Sequence, residues 1–276
     1  MTSDLGGASR QSRASARTEL DRVIGAASAG DVVKLAADLF AIVFTLDSSA
    51  PLRRALTDAS RTSSDKAALV KDLFGSKAGA PALSLLTNLA GQKWSNPSDF
   101  ADVVEQLAVE TEASAANLAG ELDRLEDELF SFSRIAMSDG ELRQNLNSQK
   151  YPVSAKQSLI DSLTRGKVCG ATSRVLAHVV AGLRGRNIEA TFAFYASAIA
   201  ARRERVIAHV RTAVALSDSQ REKLATTLAA KIGQPVRVNI EIDRTVLGGV
   251  SIRFADELID ATIVSRLADA GRALAG

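Results

Sequence analysis

The chain has 276 residues, 46% hydrophobic, 24% charged and 4% aromatic, which places it among globular proteins of two or three domains. Its 34 basic and 32 acidic side chains leave a net charge of +2, too little for a polyanion-binding field, and nine Phe, two Tyr and one Trp offer little base stacking, so nucleic acid is not expected as a partner. A single cysteine, Cys169, rules out an internal disulfide and a thiolate metal cage and fits a reducing cytoplasm, while His178 and His209 alone leave almost no histidine chemistry.

Residues 1–17 are rich in Ser, Arg and Ala, with Arg10, Arg13 and Arg17. They lack an apolar core, so they are no secretory signal and read as a mobile N-terminal tail. The longest apolar run, Leu39 to Leu46, falls far short of the roughly 18 to 20 residues that span a bilayer. Membrane association is therefore expected only through a partner.

Residues 15–205 read as helical throughout, with apolar positions at three- and four-residue spacing, such as Leu69, Val70 and Leu73 on one stripe and Leu85, Leu86 and Leu89 on another. Breaks at Pro51, Gly75 to Pro81, Asn96-Pro97, Gly140, Tyr151-Pro152 and Gly166 to Gly170 cut this stretch into short helices. The breaks recur. A shift of 90 residues carries Leu39-Phe40 onto Leu129-Phe130, Leu52-Arg53 onto Leu142-Arg143, and Leu56 onto Leu146. The same shift carries Ser64, Lys66, Leu69 and Leu73 onto Ser154, Lys156, Leu159 and Leu163, with Ser64 and Ser154 as candidate N-caps. A period of this length implies two tandem multi-helix bundles, at 18–110 and 111–205, rather than a solenoid of repeats of roughly 20 to 50 residues. Late in the first bundle stands Trp94, the lone tryptophan, in Gln92-Lys-Trp-Ser-Asn-Pro97. At a helix-to-loop junction it is either half core or an interface anchor.

Near residue 205 the pattern changes to period two. Arg205 to Ala215, Val236 to Ile242 and Val250 to Phe254 alternate as half-buried strands do, and Ser217 to Gln220 forms an S-x-x-Q capping box for a helix reaching about Ile232. A last helix is expected from about Thr262. The fold class is thus mainly α with a small α/β C-terminal domain at 206–276, a β-α-β-β-α module.

No phosphate-binding glycine loop, dinucleotide fingerprint or nucleophile elbow occurs in the sequence. His178 and His209 read as structural histidines, Cys169 as an incidental loop thiol, Glu121 to Glu128 as the solvated side of a helix, and Arg202 to Arg205 as a surface helix end. No catalytic residue, cofactor or metal ligand is therefore expected. One segment exceeds what a generic helical protein needs: Asp243-Arg-Thr-Val-Leu-Gly-Gly-Val250, then Ser251 to Phe254 and Ile259-Asp-Ala-Thr262. Gly248 and Gly249 suit a hairpin with close strand approach, and Asp260 and Thr262 offer oxygens to cap the final helix.

On these residues the chain resembles the delta subunits of bacterial F-type ATP synthase, counterparts of the mitochondrial oligomycin-sensitivity-conferring protein. The resemblance rests on Asp243, Val246-Leu-Gly-Gly249 and Ile259 to Thr262, where Ala261 and Thr262 replace the usual Gly-Ser. Leu142-Arg-x-x-Leu146, Val153-Ser-Ala-Lys156 and Ala213 to Gln220 extend it over about residues 104–276. Residues 1–103 then look like an extra copy of the helical domain, as in delta subunits of actinobacterial type. Some relatives of that type are fused to a b-like membrane segment; starting at Met1, this chain is expected to use a separate b subunit.

The resemblance implies a non-catalytic stator on the cytoplasmic face of the cell membrane, peripheral and held there by the complex. Its helical domains would hold N-terminal helices of alpha subunits, and its C-terminal domain would dock the b subunit, with Asp243, Leu247, Gly248, Gly249, Asp260 and Thr262 on that side and Trp94 as a possible anchor. No small-molecule substrate is implied. The alternative is a free-standing helical adaptor that binds amphipathic helices of a regulatory complex.

Overall fold

A computed structural model describes residues 5–25, 27–213, 216–232, 237–242, 249–254 and 257–262. The protein is mainly helical and divides into two compact units, Met1–Ile199 and Ala200–Gly276. In chain order the helices of the first unit are α1 (Gly7–Gly25), α2 (Ala29–Ser48), α3 (Ala50–Thr57), α4 (Ser63–Phe74), α5 (Ala80–Ala90), α6 (Pro97–Leu118), α7 (Leu122–Ser138), α8 (Gly140–Asn147), α9 (Val153–Thr164) and α10 (Gly170–Ala181); α11 (Ile188–Val206) begins there and runs into the second.

The helix ends follow local chemistry. Ser28 opens α2 with a reciprocal capping box to Asp31, Ser49 and Asp139 cap α3 and α8, and prolines sit in the first turns of α3, α5 and α6, where the missing N–H costs nothing. The caps of α4 and α9 are Thr62 and Pro152, not the expected Ser64 and Ser154, which lie two residues further on, within the first turn. Thr62 wins because its oxygen accepts the Asp65 N–H at 3.1 Å.

The 90-residue offset reappears in three dimensions. Helices α3, α4 and α5 start 90 residues before α8, α9 and α10. Their buried positions also coincide: Leu56 with Leu146, then Lys66, Val70 and Phe74 with Lys156, Ile160 and Thr164, then Leu85, Leu86 and Leu89 with Val175, Leu176 and Val179. Even polar details are shared. The Gly79 N–H donates to Asp38 at 2.7 Å and the Cys169 N–H donates to Glu128 at 2.8 Å, each a carboxylate at a helix N-terminus. Arg53 and Arg143 donate to the Asp47 and Met137 carbonyls at 3.2 and 2.9 Å.

One helix serves both runs. Helix α6 packs against α1, α2 and α3 on one side and against α7 and α10 on the other. It begins 90 residues after α1, and its contact with α10 repeats that of α1 with α5. It is accordingly buried nearly without interruption from Asp99 to Ala116, whereas an amphipathic surface helix buries one stripe. The division expected at 110/111 falls inside α6, and residues 1–199 share one apolar core.

The N-terminal segment corrects the expectation of a mobile tail at 1–17. From Gly7 it is helical, and Ser9, Ser12, Ala16, Leu20 and Ile24 form a buried stripe at three- and four-residue spacing. The stripe does not stand out in the sequence because small hydroxyl side chains fill its first half. The Ser9 hydroxyl accepts the Ser95 N–H at 2.9 Å and the Ser12 hydroxyl donates to the Lys93 carbonyl at 2.7 Å, so burial leaves neither unpaired.

In the second unit, β1 (Ile207–Thr212), α12 (Asp218–Ile232), β2 (Arg237–Ile242), β3 (Gly249–Phe254) and β4 (Glu257–Thr262) follow α11. The capping box before α12 has both bonds, Gln220 N–H to the Ser217 hydroxyl and Ser217 N–H to the Gln220 side chain. The strands pair in the order β2-β1-β3-β4, with β1 parallel to β2 and antiparallel to β3. The expected hairpin between the second and third strands is therefore absent among the described residues. The crossover through α12 sets β2 on one edge of β1, which leaves the other edge for β3.

Candidate interaction surfaces

The first unit is tied together by glutamates on α6 that the sequence gives no reason to bury. Glu110 receives the Arg17 guanidinium of α1, with Nε at 2.7 Å, and Glu112 receives Arg174 of α10 at 3.1 Å. Glu105 takes Arg184 at 2.7 Å and Arg186 at 2.5 Å, both from the loop before α11, and Arg184 also meets Asp102 at 3.0 Å and Asp47 at 2.8 Å. Burial raises the carboxyl pKa values of Asp47, Asp102 and Glu112 even beside these arginines. The Tyr195 hydroxyl, 3.3 Å from Glu105, is pushed well above its usual range by burial and then by that carboxylate. Arg184 holds a left-handed φ of 53°, rare outside glycine, followed by Gly185 at 78°. A strained turn thus aims one guanidinium at three acids.

Aromatic rings seal the joint between the two helix runs. His178 of α10 stacks on Phe40 of α2 with centroids 3.6 Å apart and planes 11° from parallel, and Tyr195 lies 6.4 Å from the same ring. Burial, with Arg174 adding to it, lowers the His178 pKa from 6.5 to about 4, so it is neutral in the folded state. Cys169 is buried, its sulfur 3.2 Å from the Thr172 hydroxyl, and it lines a cavity of about 320 Å³ with Asp161, Arg165 and Ser173. No cluster of His, Cys, Asp and Glu able to hold a metal occurs among the described residues. Arg202, expected at a surface helix end, is fully buried. Glu128, expected on a solvated face, caps α10 through Cys169.

Trp94 is half-buried. Its indole N–H donates to the Leu89 carbonyl at 2.9 Å, and its ring meets Phe100 edge-on at 5.3 Å. Asp243, Leu247 and Gly248 lie outside the described residues. Gly249 pairs with Thr262, and Asp260 with Ser251, across the β3–β4 ladder. Asp260 and Thr262 therefore sit in a strand rather than at the cap of a helix, and residues 263–276, where the final helix was expected, lie outside the described residues. The surface in turn exposes apolar side chains that sequence reasoning did not single out: Phe44, Phe130, Ile135 and Tyr151 are each more than half exposed. No described helix is long and apolar enough to cross a membrane.

The first unit is thus a helical body tied by internal ion pairs, with exposed apolar side chains on its surface. The family model of the ATP synthase delta (OSCP) subunit matches residues 110–274. The chain is 41% identical over 269 residues to the ATP synthase subunit delta of Streptomyces avermitilis, covering 98% of each chain. It is 40% identical to that of Streptomyces griseus, covering 99% of this chain and 100% of that one, and 38% identical to that of Streptomyces coelicolor, covering 99% of each. A chain in a cryo-EM structure of the Toxoplasma gondii mitochondrial ATP synthase hexamer covers 61% of this chain and 97% of its own at 16% identity, with a TM-score of only 0.29. The protein belongs to the ATP synthase delta (OSCP) subunit family, whose members are structural and not catalytic.

Proposed function

We propose that the chain is a peripheral-stalk subunit of an F-type ATP synthase, linking the alpha subunits of the catalytic head to the b subunit and resisting rotor torque during proton-driven synthesis. The observation that carries this reading is identity of 41% to a delta subunit along 98% of both chains. The rotor turns within the head and drags on it, so a static link must hold under load. A nanomolar link needs about 12 kcal/mol of net binding free energy, within reach of an interface of roughly 1,600 Å². In this reading the helical runs receive N-terminal helices of alpha subunits. The C-terminal part, a small α/β domain, docks the b subunit near Asp243, Leu247, Gly248, Gly249, Asp260 and Thr262, on the cytoplasmic face of the membrane.

The deciding experiment compares proton-driven ATP synthesis in vesicles carrying the enzyme with and without this chain. Loss of coupling without it, restored by adding the purified chain, is the expected result; full coupling in its absence refutes the reading. Replacing Gly248 and Gly249 by Val should weaken b-subunit capture at least tenfold in a pull-down while leaving capture of the head unchanged.

A further inference from the structure

Along α4 and α9 the buried positions of the two runs coincide, but the sizes of their side chains do not. Phe74, at the end of α4, is 2% exposed and belongs to the apolar core, and Leu83 of α5 packs against that core. Their counterparts at the 90-residue offset are Thr164 and Ser173. Both line the cavity of about 320 Å³ beside the start of α10. Where the first run has a phenyl ring and an isobutyl group, the second has two short hydroxyl side chains and open space. The rim differs as well: Lys71 and Gly75 of the first run become Asp161 and Arg165, both exposed and both lining the cavity.

The floor of this cavity is less polar than its composition suggests. The Thr164 hydroxyl donates to the Ile160 carbonyl at 2.8 Å, and the Cys169 sulfur lies 3.2 Å from the Thr172 hydroxyl, so these polar atoms are engaged within the fold. The Thr164 methyl, the Cys169 sulfur and Val168 are left as a soft apolar lining. The volume stands at the low end of ligand cavities, which run from roughly 300 to 1,000 Å³. We propose that the cavity binds a free α-amino acid with an apolar side chain. Its phenyl or branched alkyl group takes the space that Phe74 and Leu83 fill in the first run, with the ammonium toward Asp161 and the carboxylate toward Arg165. A singly charged ligand meets one rim group of its own sign, which a zwitterion offsets with its second charge. Such binding is independent of the stator role.

The test titrates the purified full chain with L-phenylalanine and L-leucine and reads two signals. One is the melting temperature, which a ligand of the folded state raises; the other is the labelling rate of Cys169, the single thiol, which an occupied cavity slows. Both responses should saturate together. Phenylpropionate and phenethylamine, each lacking one of the two charges, should bind at least threefold more weakly, as should L-phenylalanine to Arg165→Ala. Thr164→Phe combined with Ser173→Leu, which restores the side chains of the first run, should fold and lose both responses. No saturable response from the intact chain, or a response that the filled variant retains, overturns the site. Equal binding of the singly charged analogues overturns recognition of a zwitterion. Should the filled variant fail to fold, unchanged affinity in Arg165→Ala overturns the assignment.

Discussion

His178 makes the folded state sensitive to acid. The unfolded chain binds a proton near pH 6.5, the folded chain only near pH 4, so between these values the unfolded state holds more protons and stability rises with pH. Lowering the pH from 7 to 4 should remove about 3 kcal/mol on this account. Subtracting the denaturation profile of His178→Phe from that of the intact chain should isolate that slope, and parallel profiles would contradict the stacked, neutral ring. Trp94→Ala addresses a different question. The loss of an indole bonded to Leu89 and set against Phe100 should cost about 2 kcal/mol, a melting shift of roughly 4 to 8 °C. An unchanged melting point with weakened assembly would return Trp94 to the role of interface anchor. From sequence alone His178 was legible as structural, but its stacking partner stands 138 positions away and leaves no local trace.

At the scale of elements, sequence periodicity located the helices well because their apolar stripes and breakers are local signals. Helix α6 was the exception. A helix that serves two bundles must offer small or apolar residues all round, and its Glu105, Glu110 and Glu112 look in sequence like an ordinary wet face. Their partners Arg184, Arg17 and Arg174 lie 79, 93 and 62 residues away, beyond any spacing rule. The same remoteness hid the role of α1, whose arginine finds its acid only in the folded unit. Arg184→Met should leave Glu105 and Asp102 without a major counter-charge and cost about 3 to 5 kcal/mol, measurable by urea denaturation. In the second unit the strand order was not legible, since alternation says nothing about which edge a later strand joins.

For the whole molecule, a shared helix means that the two runs should not unfold separately. Residues 1–199 are expected to melt in one transition, with amide protection in α2 and α10 lost together in native-state hydrogen exchange. Deleting residues 1–96 should strip the α2 side of α6, exposing residues such as Val103 and Val104 and driving aggregation.

Because α6 is sheathed on every side, its centre is also a natural listening post. A carbon-13 methyl at Ala108, which has no exposed surface, would sense disturbance arriving from either neighbouring helix run. One resonance there could report whether a disturbance in one helix run is felt in the other.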